Sequence, residues 1–280
     1  MILKLVKLKE KRVVNKLGVI GFGNMGKALI EGIIEKKVVK KNKIIVSDKD
    51  KKKLKNAEKL GVKTGKNREV AEKSDIIILA VKPDQIKYVL LEIRDVLDEK
   101  KILISIAAGI STKKIEKAVE KRIPVIRVMP NLNVKVKEGI IFYCTGRYGK
   151  GFDRKVEKLF SPVGIVLKEK ENLFDTITAI SGSGPGFIFY FAEQFKKVCM
   201  EKGFGRKKAN LIASYLIYGS GRMMTETKIE PERLREMVSS PGGTTLAGLS
   251  VFEKKKFPEI FRKVIEKAEE RSKQLGEKNG

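Results

Sequence analysis

At 280 residues, with 42% apolar and 34% charged side chains, the chain has enough material for two modest cores. Histidine is absent, and Cys144 and Cys199 are the only cysteines. That excludes Ser-His-Asp triads, imidazole- or thiolate-ligated metals and a disulfide framework, and it fits a reducing, cytoplasmic setting. The net charge of +27 is spread along the whole chain, mostly as lysines between apolar residues at helical spacing. This reads as solvated helix faces rather than a nucleic-acid footprint, so neither a nucleic-acid nor a membrane partner is expected.

Residues 1–16 form a basic lead in which Leu, Val and Ile alternate with Lys and Arg. An apolar run, Leu17 to Ile20, leads directly into Gly21-Phe22-Gly23-Asn24-Met25-Gly26, and an amphipathic helix opens behind it. Ile44 to Val46 predicts a second buried strand ending at Ser47-Asp48, followed by a Lys-rich helix and a short strand around Val62. Asp75 to Val81, Ile102 to Ile106 and Val125 to Met129 read as further apolar strands, with helices near 84–97 and 112–121. Strands apolar throughout, alternating with helices, predict an α/β fold with a doubly wound parallel sheet covered on both faces. Two short strands, Ile140 to Cys144 and Gly164 to Leu167, are expected to complete it. Beyond residue 172 the strand signals stop, and 172–202, 206–226, 231–238, 244–254 and 257–275 read as helices. The expected division is therefore a 1–16 extension, a 17–172 dinucleotide-binding domain and an all-α domain over 173–280.

The glycine loop is the first chemical signal. Gly21 permits a tight turn, Gly23 lets backbone approach a pyrophosphate, and Gly26 lets helix and strand pack closely. The free amides and positive end of the helix then face the phosphates. At the end of the second strand, Ser47 and Lys49 lean toward the 2′-phosphate of NADPH, while Asp48 leans toward the free hydroxyl of NADH. Ala80-Val81-Lys82-Pro83, Ala107-Ala108-Gly109 and Asn131 close later strands at their carboxyl ends, where this fold builds its ligand crevice. In the helical half, Ser181 to Gly186 breaks an apolar helical pattern with glycine and proline. Ser239-Ser240-Pro241-Gly242-Gly243-Thr244-Thr245 presents amides and hydroxyls at a helix start, a place suited to a small carboxylate.

Together these strings resemble pyrroline-5-carboxylate reductase. The matching elements are GFGNMG at 21–26, ILAVKP at 78–83, AAG at 107–109, RVMPN at 127–131, TAISGSGP at 178–185 and VSSPGGTTLAGL at 238–249. The resemblance implies a Rossmann domain followed by a helical substrate-binding and dimerisation domain. It implies a homodimer, with rings of dimers as higher assemblies, and an active site between the cofactor domain and helices near the dimer interface. NADPH is the implied hydride donor, with NADH the alternative, and the reaction is reduction of a cyclic imine to L-proline. Carried over by position, Ser240, Gly243, Thr244 and Thr245 hold the substrate carboxylate and ring nitrogen, Thr245 offers the hydroxyl that meets the imine nitrogen, and Asn67 lies beside the adenosine ribose.

Leu132 and Asn133 depart from the family's usual MPNTP, and Gly26 stands where an alanine is common. A reductase of another cyclic imine or of a 2-oxo acid, or a non-catalytic NADP-binding protein, are the competing readings.

Overall fold

The computed structural model describes residues 16–278; the basic lead lies outside the described residues except for Lys16. Eight strands form one sheet: β1 Leu17–Ile20, β2 Ile44–Ser47, β3 Lys63–Thr64, β4 Ile76–Leu79, β5 Ile102–Ser105, β6 Val125–Met129, β7 Gly139–Thr145 and β8 Gly164–Lys168. Their order is β3-β2-β1-β4-β5-β6-β7-β8. The first six are parallel, and β1 lies between β2 and β4, with Ile20 level with Ser47 on one side and Leu79 on the other. The chain therefore reverses its winding direction at β1, and the crevice opens beyond the carboxyl ends of β1, β2 and β4.

The helices that cover the sheet are α1 Asn24–Glu35, α2 Lys51–Lys59, α3 Asn67–Glu72, α4 Ile86–Ile93, α5 Thr112–Val119 and α6 Asp153–Phe160. Side-chain alternation along each strand divides the core into two layers. Ile76, Ile78, Ile102, Ile104, Ile126 and Val128 point to one face and pack with Leu29, Ile30 and Ile33 of α1 and Leu159 and Phe160 of α6. Ile77, Leu79, Leu103 and Val125 point to the other, against Val89, Leu90, Ile93, Ile115 and Val119.

Two features depart from simple repetition. β7 runs antiparallel to β6, pairing Val128 with Tyr143. The connection is a 3-10 turn at Leu132–Val136, and so short a link can return a strand only antiparallel. β8 then pairs parallel with β7 after a crossover through α6, a helix the sequence reading left unplaced. Its apolar residues Val156, Leu159 and Phe160 carry the i, i+3, i+4 spacing that marks it.

The described chain divides into two compact units, 16–182 with 269–278, and 183–268. The first continues past 172 because α7, Phe174–Ile177, buries Phe174 and Ile177 against Cys144. A π-helical turn, Thr178–Gly182, ends it, so the predicted continuous helix over 172–202 is broken there. The second unit holds α8 Gly184–Glu201, α9 Arg206–Thr227, α10 Pro231–Met237, α11 Thr244–Lys254 and the start of α12, Phe257–Lys278, whose last turns from Glu269 belong to the first unit. Phe257 gathers Phe191, Phe252 and Phe261 with ring centroids 5.0–6.0 Å apart. Elsewhere this unit buries little, and Phe189, Tyr190, Leu211, Tyr215 and Val251 stand more than half exposed. Among the described residues, no helix is long and apolar enough to cross a membrane.

Candidate active site

The glycine loop is set by the ends of three strands. The Gly21 amide donates to the Ser47 carbonyl at 2.8 Å, and the Ala80 amide donates to the Ile20 carbonyl at 2.7 Å. Gly21 has φ +101°, and a Cβ there would lie 2.5 Å from the Ala80 carbonyl oxygen. At Gly26 a Cβ would overlap the Gly21 carbonyl oxygen, so α1 sits closer to the loop than an alanine would allow. Gly23 is different. It is the N-cap of α1, no atom lies within 4 Å of where its Cβ would stand, no side chain caps the helix, and the first turn carries no acid. Open amides at the start of a 12-residue helix fit a pyrophosphate.

A cavity of about 530 Å³ opens beside this loop, lined by Gly21, Gly23, Lys49, Asn67, Ala80, Val81 and Lys82 among others. Seven residues expected from sequence to bind a cofactor thus meet in one place. Phe22, Asn24, Met25, Gly26, Ser47, Pro83, Ala107, Ala108, Gly109 and Asn131 do not line it. Several of these build its frame instead. Ser47 is buried and its hydroxyl donates to Asn67 Oδ1 at 2.7 Å. Ala107 is buried, and Gly109, at φ +74°, lies so near Gly276 of α12 that a Cβ would be 2.8 Å from the Gly276 amide. Asn131 is buried too, and its Oδ1 accepts from the Ile140 amide at 3.2 Å, which staples the turn after β6 to β7.

The lean of Asp48 toward a free ribose hydroxyl takes a different form in the structure. One carboxylate oxygen accepts from the Phe22 amide at 2.7 Å and the other from the Asp50 amide at 2.9 Å. The side chain is 7% exposed, with the Lys53 ammonium 3.5 Å away. Asp48 clasps the glycine loop to the end of β2, and its charge is already answered.

In the second unit, Ser240 to Thr245 form a tight turn into α11. The Gly243 amide donates to the Ser240 carbonyl at 2.9 Å, and Gly242 takes φ +71°. Gly243 is the N-cap, with no side-chain cap, and a Cβ there would lie 2.5 Å from Ser240 Oγ. Ser240 and Thr244 are exposed and Thr245 is half-buried. The turn therefore presents unclaimed amides and three hydroxyls, the chemistry that receives a carboxylate.

Residues 171–275 match the family model for pyrroline-5-carboxylate reductase dimerisation, and residues 16–109 match the model for coenzyme F420-dependent NADP oxidoreductases. The pyrroline-5-carboxylate reductase of Methanosarcina acetivorans is 37% identical over 94% of this chain and 98% of its own. The chain belongs to the pyrroline-5-carboxylate reductase family. Among solved structures, the Plasmodium falciparum pyrroline carboxylate reductase with NADP bound superposes with a TM-score of 0.85 at 34% identity, covering 94% of this chain and 98% of that one. The Coxiella burnetii pyrroline-5-carboxylate reductase gives 0.87 at 34% identity, with the same coverage.

Against the family pattern, Leu132 and Asn133 begin the 3-10 turn after β6, and Leu132 is 41% exposed. Glu92 is a cavity-lining residue that the sequence reading passed over. It lies on α4 one helical face along from Gln85, Tyr88 and Val89, all of which line the same cavity. That i, i+3, i+4, i+7 spacing behind a strand end was the available signal. Buried Arg127, 3.5 Å from Glu171 and with its guanidinium 4.7 Å from the Phe174 ring centroid, holds α7 against β6 rather than facing either site.

Proposed function

We propose that this chain reduces 1-pyrroline-5-carboxylate to L-proline with NADPH, as a homodimer. The observation that carries this reading is the uncapped turn Ser240–Thr245, whose amides and hydroxyls suit a small carboxylate. In this reading Ser240, Gly243 and Thr244 hold the substrate carboxylate, and the Thr245 hydroxyl hydrogen-bonds the ring nitrogen. The α1 amides at Gly23 receive the pyrophosphate, and Lys49 and Lys53 face the 2′-phosphate. NADPH, when bound, supplies the hydride. A protonated imine is already electrophilic at carbon, so the protein needs to orient it and to hold the nitrogen proton, tasks that require no imidazole. The carbon–nitrogen double bond becomes single, and the nitrogen keeps its proton in the product amine.

We assign cofactor binding to 17–172, and substrate binding and dimerisation to 173–280, an assignment supported by the family match over 171–275. The exposed aromatic and aliphatic side chains of α8, α9 and α11 support a subunit interface. A cytoplasmic location belongs to the same reading, supported by two cysteines that form no disulfide. Loss of reduced-nicotinamide absorbance on adding the five-membered imine tests the activity; no oxidation of either cofactor would overturn it. Faster turnover of a six-membered cyclic imine or a 2-oxo acid would move the chain to the neighbouring reaction. Sedimentation velocity separates monomer, dimer and rings of dimers.

A further inference from the structure

The cavity beside the glycine loop carries two carboxylates, Asp48 and Glu92, and three ammonium groups, Lys49, Lys53 and Lys82. The two acids are in different states. Both oxygens of Asp48 accept backbone amides, and Lys53 stands beside it. Glu92 has a neutral partner: its Oε2 accepts from Asn67 Nδ2 at 2.7 Å. No described cation lies within ion-pair distance of it, and its Oε1 has no hydrogen-bond partner among the described residues. Asn67 is in turn held from behind, because its Oδ1 accepts from buried Ser47 at 2.7 Å. A relay thus runs Ser47 to Asn67 to Glu92, from the end of β2 to α4, and it leaves the second oxygen of an exposed carboxylate without a protein partner beside the cavity.

We propose that Glu92 sets the balance between the two nicotinamide cofactors. Its open oxygen accepts a ribose hydroxyl, and its charge opposes a 2′-phosphate that Lys49 and Lys53 attract. The inference rests on the reading of this cavity as the adenosine site. Asp48, which carries the sequence signature for that role, is occupied in holding the loop.

Calorimetric binding of NADP+, NAD+ and the fragment 2′,5′-ADP to the full chain, without turnover, tests it. Gln at position 92 can still accept from Asn67, so E92Q removes charge and keeps the relay. We expect E92Q to tighten NADP+ and 2′,5′-ADP by about fivefold and to leave NAD+ level or weaker. E92K should go further in the same direction, and the gain should shrink at high ionic strength. Affinities of E92Q equal to wild type for all three ligands, with E92K weakening them all alike, would assign Glu92 a purely structural part and overturn the proposal. Wild-type protein that binds none of the three would overturn the cavity assignment itself.

Discussion

Two glycine-rich turns open helices in this molecule, and they are built in opposite ways. The loop at Gly21–Gly26 is clamped from every side: strand-end hydrogen bonds fix Gly21, the Asp48 carboxylate fixes the Phe22 amide, and Gly26 lets α1 press on the loop. The turn at Ser239–Thr245 is held locally, by the Gly243 amide on the Ser240 carbonyl and a left-handed Gly242 with open space around it. The first shape is enforced by the sheet beneath it, so one subunit suffices to define it. The second owes its shape to its own backbone, in a unit whose helices leave large apolar side chains uncovered. Rigidity at Gly21–Gly26 is a property of the core, whereas at Ser239–Thr245 it rests on the turn's own backbone.

The largest effect expected is on stability. Gly21→Ala meets both an unfavourable φ and the Ala80 carbonyl, and should cost about 3 kcal/mol or more. Gly242→Ala meets only the φ and should cost about 1–2 kcal/mol. Urea midpoints of the two variants measure the difference; equal losses would mean that the Gly21 loop is not clamped. Next in size is Thr245→Ala. If Thr245 meets the imine nitrogen, kcat should fall about a hundredfold with NADP+ affinity kept, a barrier change of about 2.7 kcal/mol. Unchanged turnover would remove the residue from the mechanism.

How much of this was legible depended on the range of the interaction that decides each feature. Short-range patterns carried far: the apolar runs around β4, β5 and β6 were placed within two residues, and 244–254 coincides with α11. The glycine loop and the SSPGGTT turn were legible because each glycine-rich string stands directly before an apolar helical pattern. The direction of β7 depends on how β6 is followed by a 3-10 turn, and no side-chain period encodes that. Asp48 is decided at the same long range. Its type and position suit a ribose, but whether its oxygens are free depends on an amide 26 residues away. Glu92 acquires meaning only when α4 brings it to Asn67, 25 residues earlier in the chain.

Asp48→Asn comes next and sharpens the same contrast. An amide side chain can accept from one of the Phe22 and Asp50 amides and must turn its NH2 toward the other, so one hydrogen bond is lost. The expected cost is about 1–2 kcal/mol, with NADP+ and NAD+ weakened alike because the loop itself loosens. Calorimetry with both cofactors distinguishes this from ribose recognition. Were Asp48 reading the ribose, NAD+ would weaken alone and NADP+ would tighten.

The smallest effect lies at the far edge of the first unit, where acid should act without reaching the glycine loop. The Lys168 ammonium, 2.7 Å from Asp153, holds that carboxyl below its usual range, and Tyr143 adds a hydrogen bond at 3.1 Å. A carboxylate with a lowered folded value contributes stability that is complete above its unfolded value, about 3.9, and is lost as pH falls through the folded one. Wild type should therefore exceed Asp153→Asn in stability near neutrality, and the two should converge as pH falls below about 4. Urea midpoints across that range read the convergence, and a constant gap would remove Asp153 from the acid response. NADP+ affinity near neutral pH should be the same in both proteins, because the latch joins α6 to β7 and β8, on the opposite side of β6 from the strands that hold the loop. A loss of cofactor affinity in Asp153→Asn would show that the clamp on Gly21 draws on the whole sheet and not on the three strands at its centre.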